Sequence, residues 1–194
     1  MIETTSRTRT WIRAAVTVLA LAPCATLAPP MAAETGNKEE AVSQEQEKPT
    51  FGIAHAAHAE GVLAAGQPTE EQLRQAAAAG YRSVIDLRAP SEKRDFDEPA
   101  AARGLGLAYT NLPVGPDLDG ATLDRFAEVF EAAERPVLIH CATSNRVGGL
   151  LYAYLVLEQG VPEEQALERA RAAGLVNPEL AEKMRALVRA RKAQ

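Results

Sequence analysis

The run Pro136-Val137-Leu138-Ile139-His140 is short, apolar and rich in β-branched residues, and it ends on Cys141. Such a run reads as a buried strand. After four more residues, Arg146 leads into Val147-Gly148-Gly149-Leu150-Leu151-Tyr152-Ala153-Tyr154-Leu155, too long and too apolar for a loop and best read as a core helix. A chain that passes from buried strand to buried helix so quickly turns its backbone N–H groups, the positive end of the helix and the arginine toward one spot. That arrangement binds a tetrahedral oxyanion and favours the thiolate form of a cysteine placed inside it. A thiolate beneath a bound phosphate or sulfur species is a nucleophile in position. A cysteine at a strand end is also a common small core residue. His140 before it and Arg146 after it are what favour an anion loop.

The 194 residues suffice for one domain and a tail. A net charge of −5 and the lack of a basic stripe with interleaved aromatics argue against a nucleic-acid partner. Arg7, Arg9 and Arg13 precede the apolar run Ala14 to Ala22, and a small-residue stretch follows, ending Pro30-Met31-Ala32-Ala33. Residues 1–33 therefore read as a secretory leader cleaved near Ala33, the apolar run being too short for a stable bilayer anchor. The expected location is the periplasm, with no stable membrane insertion after cleavage; an uncleaved N-terminal anchor is the alternative. Cleavage would leave 18 basic against 25 acidic side chains, about −7. It would also remove Cys24 and leave Cys141 without a disulfide partner in the same chain. The sequence does not specify an oligomeric state.

Residues 34–50 are polar and charged, bury too little to offset chain entropy, and read as a disordered acidic linker. The domain is expected over 51–194. His55 and His58 stand at i, i+3, which would put both on one helical face. With no carboxylate–cysteine cluster beside them, no metal site is read there. Gly61 to Pro68 reads as a strand and turn, and Thr69-Glu70-Glu71-Gln72 has the pattern of a capping box. Tyr81 to Arg88 is a second strand, at whose exit Arg88 and Glu92 read as an ion pair clamping the loop. A short helix around Pro99 to Arg103 leads to a strand over Leu107 to Leu112, then to a loop carrying Asp117 and Asp119. Both are candidate general acids, and Asp119 can instead cap the next helix. Leu123, Phe126, Ala127 and Phe130 give residues 121–134 a helical apolar face. Helices opening at Pro162 and Pro178 finish the chain. Strands alternating with helices predict an α/β three-layer fold: a mainly parallel sheet of about four strands, helices on both faces and a helical C-terminal tail.

Gly66-Gln67-Pro68, Val84-Ile85-Asp86-Leu87-Arg88, Gly104 to Tyr109, Leu112-Pro113-Val114 and His140-Cys141 through Arg146 occur in order. Together they resemble the bacterial phosphatase-like family found alongside or fused to metallo-β-lactamase-type hydrolases, within the dual-specificity and tyrosine phosphatase superfamily. The resemblance covers roughly residues 51–175. It implies a cysteine-phosphatase fold and a metal-independent hydrolase with no cofactor, acting on a phosphorylated small molecule or phosphoprotein. Carried onto this chain, Cys141 would attack phosphorus and form a thiophosphate. Arg146 and the amides of Ala142, Thr143, Ser144, Asn145 and Arg146 would hold the equatorial oxygens. His140 would brace the loop and help keep the sulfur ionised, and Asp117 would protonate the leaving oxygen.

The chain departs from the tyrosine-phosphatase pattern in several places. Four residues rather than five separate Cys141 from Arg146, the loop length of rhodanese-type sulfurtransferases. Ser144 stands where the family usually has Gly, at a cost of about 1 kcal/mol if the position needs φ > 0. Val147 replaces the hydroxyl that helps the thiolate leave, which predicts slow breakdown of a phosphoenzyme. Gly115 holds the usual acid position. Two alternatives follow from these departures: persulfide handling or sulfur transfer at Cys141, and a catalytically weak reader of oxyanions or phosphoproteins.

Overall fold

The computed structural model describes residues 48–115 and 117–193. The leader-like segment 1–33, Cys24 and the linker as far as residue 47 lie outside the described residues. Eleven elements follow in order: β1 (Ala57–Ala59), β2 (Val62–Ala65), α1 (Glu70–Ala78), β3 (Ser83–Asp86), α2 (Glu98–Gly104), β4 (Ala108–Asn111), α3 (Gly120–Ala132), β5 (Val137–His140), α4 (Asn145–Leu157), α5 (Glu163–Ala172) and α6 (Pro178–Lys192).

The strands form one sheet in the order β1-β2-β5-β3-β4. β2, β5, β3 and β4 run parallel, and only the edge strand β1 is antiparallel. β5 lies at the centre, with His140 in register with Ala65 on one side and Asp86 on the other. The carboxyl ends of four parallel strands therefore share one rim, where α/β sheets bind ligands.

Alternation along β5 splits its side chains between two cores. Val137, Ile139 and Cys141 belong with the apolar residues of α3 to α6, while Leu138 packs with those of α1 and α2. This is the expected three-layer arrangement. Among the described residues no helix is long and apolar enough to cross a membrane.

To the four parallel strands an antiparallel edge strand, β1, is added, and one expectation needs correction there: His55 and His58 do not share a helical face. His58 lies in β1 opposite Leu63, and His55 sits in a turn with φ of 55°. Glu60 and Gly61, at φ of 51° and 75°, form a two-residue hairpin loop between β1 and β2. Positive φ at both positions is the geometry that matches strand twist. Glu-Gly is a weaker signal for it than Asn-Gly.

The helix starts are as the residues indicate. Thr69 Oγ1 accepts from Gln72 N at 3.2 Å, while Gln72 Oε1 accepts from Thr69 N at 2.9 Å. Asp119 caps α3 by accepting from Thr122 N at 2.9 Å, and Asn177 caps α6 by accepting from Leu180 N at 3.0 Å.

The two glycines of α4 differ in what surrounds them. A Cβ on Gly148 would stand 2.6 Å from both Ala170 O and Leu175 N, which are backbone atoms fixed by the α5–α6 connector. A Cβ on Gly149 would meet Met184 Cγ at 3.3 Å, a flexible side chain that can move aside. Alanine in a helix interior otherwise gains about 1 kcal/mol over glycine. Gly148→Ala is therefore expected to destabilise the fold by about 1–3 kcal/mol through overpacking, with Gly149→Ala close to neutral, as measured by urea denaturation. Equal effects would contradict this packing.

Candidate active site

β5 ends at His140, so Cys141 begins the loop and α4 starts four residues later with Asn145. The loop lies against the end of β2, where Gln67 N donates to Ala142 O at 3.4 Å. A Cβ at Gly66 would be 2.7 Å from Ala54 O and 3.0 Å from Ala142 O. Only glycine fits that approach.

Of the residues between Cys141 and Arg146, Ala142 and Thr143 are exposed at the crest, Asn145 is half-buried and Ser144 is fully buried. Ser144 adopts φ of 63°, the left-handed conformation in question. Its hydroxyl donates to Ala173 O at 2.8 Å, which offsets part of the backbone cost. Asn145 Oδ1 accepts from Val176 N at 2.9 Å and Asn177 N at 2.8 Å. The side chains of Ser144 and Asn145 thus tie the loop to the α5–α6 connector, and an anion would meet these residues through their backbone. Gly174, at φ of 104°, faces Ser144, whose Cβ a side chain there would approach to 2.6 Å.

Arg146 begins the helix and turns back over the loop. Its Nη1 and Nη2 donate to Glu92 Oε1 and Oε2 at 2.6 and 2.7 Å. Nη1 also reaches Leu87 O at 3.3 Å and Val114 O at 3.1 Å. Bonding to Glu92 raises the guanidinium's pKa despite burial, and the electrostatic influence of Cys141 raises it further. Cys141 is 1% exposed. The ion pair expected between Arg88 and Glu92 is not formed; Glu92 clamps Arg146 instead. Hydrogen bonding from Arg146 holds the Glu92 carboxyl below its usual value.

On the opposite face of β5, His140 enters a buried charged group. Its Nε2 stands 2.7 Å from Glu98 Oε1 and 3.9 Å from Asp86 Oδ1, and all three side chains are inaccessible. The shorter contact lacks the alignment of a hydrogen bond. Arg88 binds Asp86 through Nε at 2.9 Å and Nη2 at 3.0 Å and also pairs with Glu98. Arg94 Nη2 at 3.3 Å and the Tyr109 hydroxyl at 2.8 Å also donate to Asp86. Burial alone would raise the Asp86 carboxyl, but hydrogen bonds from Arg88, the charge on His140 and the Tyr109 hydroxyl bring it down to about 2. Burial, then Asp86, push the Tyr109 phenol upward.

Asp86, Glu98 and His140 are the group of potential metal ligands among the described residues. Arg88 and Arg94 already balance both carboxylates, so the donor set suits a charge network better than a cation. Asp117 is exposed in the loop before α3. Asp119 Oδ1 accepts from Thr122 N and its hydroxyl, and these bonds lower the carboxyl's pKa. Sequence reasoning did not single out Glu98; followed by Pro99, it reads as an ordinary first-turn acid.

Residues 56–154 match the sequence profile of the family described as beta-lactamase hydrolase-like protein, phosphatase-like domain. A beta-lactamase hydrolase-like protein of Xylella fastidiosa is 36% identical over 99 residues, covering 48% of this chain and 23% of the relative. The chain thus spans about a quarter of the length of the curated relatives it matches. Among solved structures, a DUF442 protein of Shewanella putrefaciens superposes with a TM-score of 0.59 at 24% identity, over 73% of this chain and 91% of that one. The protein TpbA of Pseudomonas aeruginosa, in a complex with pTyr, superposes with a TM-score of 0.53 at 22% identity, over 66% and 78%. These likenesses establish the fold.

A carboxylate held at about 2 in the folded chain against an ordinary 3.8 stabilises the fold in full above the ordinary value. That contribution is lost as the pH falls through the folded value. Asp86 is expected to contribute about 2 kcal/mol, disappearing between roughly pH 4 and pH 2. Urea midpoints across that range check it: Asp86→Asn should flatten the wild-type slope, and an unaltered slope would contradict the assignment.

Proposed function

The chain belongs to the family of the beta-lactamase hydrolase-like protein, phosphatase-like domain, and from that premise we propose that it is an exported cysteine-dependent phosphatase of the tyrosine or dual-specificity type. The observation that carries this reading is the Arg146 guanidinium that Glu92 and Val114 hold at the carboxyl rim of the sheet, five residues after Cys141 at the end of β5. The substrate is a phosphomonoester of a small molecule or protein. Its phosphate oxygens lie on Arg146 and the amides of residues 142–146, at the positive end of α4.

In this mechanism the Cys141 thiolate attacks phosphorus. The sulfur–phosphorus bond forms as the ester oxygen leaves with its electron pair, taking a proton from Asp117. Asp117 suits this role better than Asp119, whose carboxyl is engaged in capping α3. Water, deprotonated by Asp117, then attacks the thiophosphate and returns the thiolate and inorganic phosphate. Arg146 stabilises the charge on the transferring group, and its fixation by Glu92 means it needs little rearrangement when that charge develops. His140 braces the strand end from the far face of the sheet. Val147 is buried in the apolar core and supplies no hydroxyl to the sulfur, so the second step is the slower. The leader-like residues 1–33 support export.

Turnover of an aryl phosphate by the purified protein tests this directly. Cys141→Ser should abolish phosphate release, and Glu92→Gln should lower kcat by up to about a hundredfold through a displaced guanidinium. Equal turnover by the wild type and Cys141→Ser would end the reading. Background turnover of phosphate, together with gain of one sulfur atom on Cys141 from thiosulfate, would favour sulfur transfer instead.

A further inference from the structure

Beside Arg146 lies a cavity of about 410 Å³ between the loop before α3, the start of α4 and the N-terminal half of α6. Leu118, Leu150, Leu180 and Met184 line it, and Arg146 forms part of its wall. Two of these residues come from α6, beyond the 56–154 segment that matches the family. Met184 and Leu180 of α6 lie over Gly149 of α4, with Met184 Cγ and Leu180 Cδ2 the nearest atoms to that position.

Resting on the phosphatase reading, we propose that this cavity receives the leaving group of the substrate. That group is apolar and larger than one aromatic ring, as in a long-chain alkyl or alkyl-aryl phosphate, and Leu180 and Met184 select it. Arg146 belongs both to the anion loop and to the cavity wall. A phosphate held by this guanidinium therefore has its alcohol portion beside the apolar lining. The size of the group follows from volume, since a ring of six carbons fills a cavity of about 150 Å³. The present cavity takes a ring together with an alkyl chain.

Its chemistry follows from the polar groups at the edge. Asn177 has its Oδ1 committed to Leu180 N, while its backbone N–H donates to Asn145 Oδ1. Glu179 and Lys183 also belong to the lining, so beyond Arg146 the edge carries one charge of each sign. A sugar or polyphosphate leaving group would lose water-exposed hydrogen bonds against four apolar side chains. The unbranched thioether of Met184 adapts to chains of different shape.

Calorimetric titration of the full chain with phenylphosphonate and 4-butylphenylphosphonate tests the proposal without requiring turnover. The butyl compound should bind about tenfold tighter or more. Leu180→Gln should bring the ratio of the two Kd values toward one, and Leu180→Met should restore it. A ratio near one in the wild type, an unchanged ratio in Leu180→Gln, or binding of neither compound would overturn the proposal. Aryl phosphate turnover is read separately. Turnover with a ratio near one removes the leaving-group assignment and leaves the phosphatase. The chain-length ratio without turnover removes the phosphatase and leaves an apolar phosphonate subsite.

Discussion

The Arg146 guanidinium joins three loops at the carboxyl rim of the sheet. Glu92 and Leu87 reach it from the segment after β3 and Val114 from the segment after β4, while Arg146 itself stands in the first turn of α4, directly after the loop that follows β5. An ion pair this sheltered adds little net stability, because drawing both charges from water costs about as much as their attraction returns. Its consequence is geometric. A guanidinium with both outer nitrogens engaged is held in one position, and in the proposed reaction stabilisation by such fixed groups is what counts when charge builds up in a transition state.

The same rim is supported from two further directions. Period-two alternation sends Cys141 toward α4 and His140 toward α2, so adjacent residues serve different layers. Behind His140, the buried Asp86, Arg88 and Glu98 and the half-buried Arg94 form a balanced charge group around the strand end. On the other side, the Ser144 and Asn145 side chains bind Ala173, Val176 and Asn177. The C-terminal helices are therefore part of the loop's support, although they lie outside the segment matching the family. A left-handed serine persists there because its hydroxyl has a fixed acceptor and Gly174 makes room for it.

Much of this was legible in the residues. The apolar β-branched run before Cys141, the capping box at Thr69 and the acids at Asp119 and Asn177's first turn each carry local signals that survive in the fold. The left-handed position of Ser144 was signalled only by the resemblance, since the resembled family usually has glycine there. The edge strand β1 was hidden, because two residues at Glu60-Gly61 make the turn without its usual composition. The partner of Arg146 was hidden for another reason. Glu92 lies 54 positions away, and nearby Arg88 offered a plausible local pairing. Only the packing of α2 shows that Arg88 is already taken by Asp86 and the buried Glu98. Period and capping are local properties, whereas the choice among several acids for one cation is decided by tertiary contacts.

A crystal structure of the wild-type protein soaked with vanadate tests the central claim most directly, since vanadate takes the geometry of a phosphoryl group in flight. The result expected is vanadium bonded to Cys141 Sγ, with its equatorial oxygens on Arg146 and the loop amides and the Glu92 pairing retained. Vanadate bound elsewhere, or a Cys141 sulfur turned away from an empty loop, would contradict it.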